Sequence, residues 1–171
     1  MQAARSEVTR MSSHLDLDHF LPYRLSVLSN RVSGVIARLY AEKFDLTIPE
    51  WRVLAVLGKY GKQTATDVAA RTAMDKVRVS RAIARLIEHE RVHRHVDPID
   101  RRRLTLDMTE EGRDIYDQIV PLALSAEARL LGGVNSATRK AFDALSTALT
   151  DAVAKMEAEL GGGPTLGDDG V

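Results

Sequence analysis

Residues 75–106 constrain the fold more than any other part of this chain. Across residues 76–87, Val79, Ile83, Leu86 and Ile87 recur at i, i+4, i+7 and i+8, the spacing of one apolar stripe along an α-helix. At about 100° per residue, Arg78, Arg81 and Arg85 fall within roughly 60° of one another, about 145° from that stripe. Such a helix buries one side and offers guanidinium groups on the other. Residues 92–96 then read as a strand, and Asp97-Pro98-Ile99-Asp100 has the chemistry of a tight turn with proline second. Arg101-Arg102-Arg103 opens a return strand through Leu106. The hairpin therefore carries three arginines just past its tip. Arginine suits a phosphate or a narrow minor groove because its planar fork donates in pairs and is less strongly hydrated than an ammonium. A major-groove helix followed by a basic wing predicts a winged helix-turn-helix that binds duplex DNA.

The rest of the chain reads as helices with identifiable starts. Asp16 or Asp18 can cap a first helix running to about Phe44, with Leu25, Leu28, Val32, Val35, Ile36 and Leu39 in helical register. Thr47-Ile48-Pro49-Glu50 is a capping-box pattern for a second helix ending near Tyr60-Gly61. Thr64 starts a short third, Asp75 caps the fourth, and Thr109 followed by Glu110 and Glu111 places a cap and two anions at the positive end of a fifth. Pro121 is expected to kink or interrupt that helix. After Gly132-Gly133, Asn135 or Ser136 caps a sixth helix reaching about Leu160. The predicted class is mainly α with a small β-hairpin wing. Its predicted parts are a flexible arm (1–15), a helical dimerisation region (16–46 and 109–160), a winged helix-turn-helix (47–108) and a disordered tail (161–171). Leu122, Leu124, Leu130, Leu131, Phe142, Leu145, Leu149, Val153 and Met156 form an apolar face suited to a two-fold dimer or to an intramolecular core.

Charge supports the same division. The net formal charge is zero, yet residues 71–103 hold 10 basic and 5 acidic side chains while residues 104–171 hold 5 and 12. Positive charge is thus concentrated where phosphates would be met, and the acidic C-terminal part is expected to face away from DNA. There is no cysteine, hence no disulfide, thiolate metal site or thiol switch. The N-terminal residues lack the apolar segment of a secretion signal and no apolar run is long enough to span a bilayer, so the expected location is cytoplasmic with no membrane partner. No phosphate-cradling glycine loop, nucleophile elbow or spaced acid pair is present, which argues against an enzyme.

From about Leu21 to Met156 the chain resembles the MarR family of dimeric winged helix-turn-helix transcription regulators. The resemblance is carried by Pro49-Glu50-Trp51-Arg52-Val53-Leu54, Ala65-Thr66-Asp67-Val68-Ala69, Val79-Ser80-Arg81 with Leu86, and Asp97-Pro98-Ile99-Asp100-Arg101-Arg102 running into Leu106-Asp107-Met108-Thr109-Glu110-Glu111-Gly112. One departure is Glu90, where the family usually has a glycine before the wing, so the helix must end without the residue that most easily turns left-handed. The resemblance implies a homodimer on a palindromic, double-stranded DNA operator, most often as a repressor. It also assigns Arg101 to the minor groove, with Asp100 holding a wing arginine by a salt bridge. On the reading helix, Arg78 and Arg81 are the expected contacts to base edges or nearby phosphates. Ser80 and Thr64 are the expected phosphate donors, Lys76 a point charge, and Arg85 at most a phosphate contact. Arg102 and Arg103 suit either phosphate contact or solvent.

Regulators of this kind are usually released from DNA by a small molecule. Tyr23, Asn30, Tyr40, Trp51 and Arg52 offer aromatic walls, an amide and a cation suited to an aromatic acid or its thioester. Trp51 equally suits core packing, and Arg52 a structural ion pair. A general similarity of residues 21–54 to regulators of hydroxycinnamate degradation points to an aromatic acid or hydroxycinnamoyl-CoA as effector. His89, His93 and His95 lack a carboxylate or cysteine at convincing spacing, so no metal and no cofactor is expected, and they read as polar residues near phosphate. His14 and His19 suit either a pocket cover or solvent. The alternative function is a sequence-neutral architectural DNA-binding protein, which would share the basic surface without discriminating an operator.

Overall fold

The computed structural model describes residues 15–96 and 104–161. Along it run α1 (Leu21–Ala37), α2 (Ala41–Phe44), α3 (Ile48–Tyr60), α4 (Ala65–Thr72), α5 (Lys76–Glu88), β1 (Val92–Val96), β2 (Leu104–Met108), α6 (Glu110–Leu130) and α7 (Ser136–Glu159). The starts follow local chemistry. Thr47 and Glu50 close a capping box on α3, and Thr64 and Asp67 close one on α4. Asp75 accepts from the Arg78 amide at 2.7 Å, Thr109 from Gly112 at 2.9 Å, and Asn135 from Thr138 at 2.9 Å. Each satisfies an amide that the first turn leaves unpaired.

The first helix departs from expectation at both ends. It starts at Leu21, behind Phe20 and with Pro22 in its first turn, and no side chain caps it. Asp16 instead closes a local turn, its carbonyl accepting from His19 and Phe20 and its carboxylate meeting the His19 ring at 2.8 Å. The helix ends at Ala37, where i→i+3 bonds from Leu39 to Ile36 and from Tyr40 to Ala37 tighten the chain before α2. That break lets Tyr40 and Phe44 turn inward, to 1% and 9% exposure, and burying two large rings outweighs an uninterrupted helix. Pro121, expected to kink or interrupt the fifth predicted helix, lies inside an unbroken α6. The buried residues of that helix, Gly112, Ile115 and Ile119, all precede it.

The core lies under the reading helix. Val53, Leu54 and Leu57 of α3, Val68 of α4, Val79, Ile83 and Leu86 of α5, and Ile115 and Ile119 of α6 pack in one cluster. The hairpin seals it. Its strands pair antiparallel with Val92 opposite Met108 and Val96 opposite Leu104, and Val92, Leu106 and Met108 face the core. Gln63 adds a short bridge, exchanging two backbone hydrogen bonds with Leu106 at 3.2 and 2.7 Å. By contrast, α1 and α7 contain no buried residue. Leu28, Leu124, Leu130, Phe142, Leu145, Val153 and Met156 are each more than half exposed in the single chain.

The end of α5 shows how the chain manages without a glycine. The Arg91 amide donates to Leu86 O at 2.8 Å and the Glu90 amide to Ile87 O at 3.0 Å, the two bonds of a Schellman stop. Glu90 itself adopts the left-handed conformation, with φ of 56°. Directly behind it, the Arg91 carbonyl accepts from Thr109 at 3.1 Å, and a Cβ on Gly112 would lie 2.0 Å from that carbonyl oxygen. The start of the wing and the start of α6 are therefore fitted to one another through a glycine.

Candidate nucleic-acid interface

The reading helix has the two-sided form expected of it. Val79, Ala82, Ile83 and Leu86 are buried, whereas Lys76, Val77, Arg78, Ser80 and Arg81 are exposed. α4 and α5 are joined through Ala73, in left-handed conformation at φ 51°, and Met74, which is buried. This is a helix-turn-helix with its second helix presented outward. The N-terminal turn of α5 is its most exposed cationic part. Arg78 is steered by Asp75, 3.6 Å from its Nε, and among the described residues Lys76 and Arg81 have no carboxylate partner. Their charge is free to be neutralised from outside.

Arg85 and Thr64 are differently placed. Arg85 donates to both carboxylate oxygens of Asp45 at 3.0 Å and its Nε lies 3.2 Å from Glu50 Oε1. Asp45, chiefly by those hydrogen bonds, and Glu50 push the Arg85 guanidinium further above its ordinary pKa. Glu50 is 1% exposed, and its other oxygen accepts from the Thr47 amide and hydroxyl at 2.7 and 2.5 Å. Arg91, also buried, reaches the Asp45 carbonyl at 3.1 Å. The far end of the reading helix is thus stapled to the α2–α3 junction. The Thr64 hydroxyl is engaged in its capping box, donating to Asp67 Oδ2 at 2.7 Å. Asp100, Arg101, Arg102 and Arg103 lie outside the described residues.

The residues expected to bind an effector divide into two groups. Tyr40, Trp51 and Arg52 come together: the Tyr40 and Trp51 rings are 5.6 Å apart, and Arg52 donates to Ser33 of α1 at 3.4 Å. Burial pushes the Tyr40 hydroxyl up to about 12, against the opposing pull of Arg52. Tyr23 and Asn30 sit exposed on α1, joined to this cluster by no hydrogen bond or ring contact among the described residues. Sequence reasoning missed Tyr116, which stacks on Trp51 at 5.9 Å and lies where a Cβ on Gly58 would fall 2.3 Å from its ring. Its signal was its place in the first half of α6, next to the core-facing Ile115.

A helix-turn-helix with a cationic outer face and a hairpin behind it defines a winged-helix DNA reader rather than an enzyme. The sequence model of the MarR family matches residues 44–103, from the end of α2 into the wing. Over that stretch the chain is similar to the MarR family of transcription regulators. It is similar to the HTH-type transcriptional repressor NicR of Pseudomonas putida, 28% identical over 98 residues that make up 57% of this chain and 62% of NicR. The match therefore spans less than two thirds of that relative. Bordetella bronchiseptica BpsR, a protein whose DNA binding is regulated by 6-hydroxynicotinic acid, superposes with a TM-score of 0.71 at 26% identity, covering 81% of this chain and 98% of that one. A MarR/EmrR family regulator from Acinetobacter sp. ADP1 shares the fold, with a TM-score of 0.76 at 23% identity over 82% and 99% of the two chains. Among the described residues no helix is long and apolar enough to cross a membrane.

Proposed function

We propose that this chain is a ligand-responsive repressor that binds a palindromic operator as a homodimer and is released by a small aromatic acid or its coenzyme A thioester. The observation that carries the reading is the α5 surface, where Lys76, Arg78, Ser80 and Arg81 project from the N-terminal turns of a helix held rigidly by its buried stripe. Arg78 and Arg81 take base edges or adjacent phosphates, and Lys76 and Ser80 take the backbone. Arg85 holds the helix in place through Asp45 and Glu50 and contributes to DNA only through a phosphate. Arg101, with Asp100, reaches the minor groove, and Arg102 and Arg103 add phosphate contacts.

The dimer is supported by apolar surface. A 24-residue α7 without a buried side chain, together with α1 and the second half of α6, exposes a run of large apolar side chains, the kind of surface that marks an interaction face. Pairing these helices two-fold presents two α5 helices to successive major grooves. The effector class is supported by the Tyr40, Trp51 and Tyr116 rings beside the Arg52 cation, and by the aromatic acid that regulates BpsR. The test is binding to a palindrome-containing duplex from the gene's own upstream region against a scrambled duplex, across a salt series and with added aromatic acids and thioesters. A preference of about a thousandfold, relieved by one compound, is the expected result. Equal binding to both duplexes would mean a sequence-neutral architectural protein instead.

A further inference from the structure

The polar face of the wing gathers a ligand set that the sequence did not reveal. His93 and His95 alternate on β1 and so project from one face of the hairpin, opposite to the core-facing Val92. The strand register sets Asp107 of β2 directly across from His93. The carboxylate missing from the histidine pattern is supplied by chain pairing. One nitrogen from each ring and one oxygen of Asp107 all lie within 4.8 Å of one another, and the two rings meet edge to face with centroids 4.2 Å apart.

We propose that His93, His95 and Asp107 form a binding site for a divalent transition metal of the zinc class, bridging the two strands at the base of the wing. Two imidazoles and a carboxylate match the ligand preferences of such an ion, and three protein ligands leave a fourth position for water. Bonds of about 2.0–2.2 Å place tetrahedral ligand atoms about 3.3–3.6 Å apart, so side-chain rotation of the exposed His95 closes the site without moving the strands. Asp107 is already oriented: its Oδ1 accepts from the Met108 amide at 2.9 Å, leaving Oδ2 for a cation. Lys62 now occupies that side, with Nζ 3.8 Å from Oδ2. Its side chain is 62% exposed, and an ion pair of this kind is worth little, so a coordinated metal displaces it.

The test titrates metal-free, full-length protein with Zn²⁺ against a chromophoric chelator, and with Co²⁺ alone while visible absorption is recorded. The site predicts one high-affinity ion per chain, weakened at least about tenfold in each of His93→Gln, His95→Ala and Asp107→Asn, and unchanged in His89→Ala and His19→Ala. Because His95 is exposed, His95→Ala retains the fold, and its circular dichroism melt verifies this. Wild-type affinity retained in that variant, or no competition with the chelator by the wild type, overturns the proposal. The readout contains no DNA, so it stands or falls apart from the repressor reading.

Discussion

Replacing Glu90 with glycine is expected to stabilise the protein. Glu90 holds φ at 56° as the left-handed residue of the stop after α5. A side chain in that conformation costs about 1–2 kcal/mol through the close approach of Cβ to the following carbonyl. Glycine removes the cost but gives the unfolded chain more freedom, which returns about 0.5–1 kcal/mol. The difference is a net gain of about 0.5–1 kcal/mol, or a rise of about 1–4 °C in the melting temperature of a chain this size. Glu90→Ala is the control, since it deletes the carboxylate while keeping Cβ, and should stay within about 0.5 kcal/mol of wild type. Melts followed by circular dichroism at matched protein concentration measure both. Equal gains in the two variants would assign the effect to charge beside a basic helix, and a loss in Glu90→Gly would refute the backbone argument.

Gly58→Ala should push Tyr116 off Trp51, because the new Cβ would lie 2.3 Å from the Tyr116 ring. Trp51 is the only tryptophan, so its emission reports the change directly, alongside a destabilisation of about 1–3 kcal/mol; unaltered emission would deny the contact. Arg81→Ala should weaken operator binding by about 1–3 kcal/mol if it reads a base, whereas Arg85→Ala should lower stability more than affinity, as fluorescence anisotropy and thermal melts on the same samples would show. Glu50→Ala leaves the Thr47 amide without its cap and Arg85 without its buried partner, and a loss of about 2–4 kcal/mol in urea unfolding is expected; a loss under about 0.5 kcal/mol would mean Asp45 alone suffices. Tyr40 gives a sign at high pH. Below pH 10 its hydroxyl is neutral in folded and unfolded chains alike, but between the ordinary tyrosine value of 10.0 and about 12 the unfolded chain loses its proton first. Stability must then fall as pH rises, by up to about 2–3 kcal/mol, and Tyr40→Phe should flatten that part of the profile.

What the sequence disclosed was local. Thr47, Thr64, Asp75, Thr109 and Asn135 act on amides three residues ahead, so the caps were readable without knowing the fold. The outward arginines of α5 followed from helical period alone. What it hid depends on distant chain. The partner of Arg85 is Asp45, forty positions earlier, and nothing near either residue announces the other. The break before Tyr40 is decided by a core that α3 and α6 complete. Glu50 looked like a capping residue, which it is, but its burial and its second bond needed α5 in place. Asp107 became a neighbour of His93 only through strand register, which a hairpin with an arginine-rich tip leaves open until its faces are sorted into core and solvent.

Glu50, Trp51 and Arg52 occupy consecutive positions near the start of α3 and point in three directions, each about 100° from the last. The first grips the reading helix through Arg85, the second leans on Tyr40 and Tyr116, and the third holds Ser33 of α1. One turn of helix therefore works as a bell crank. A shift of Trp51 would bear on an arm whose other two ends are already hooked, one to the long N-terminal helix and one to the helix that carries the outward arginines.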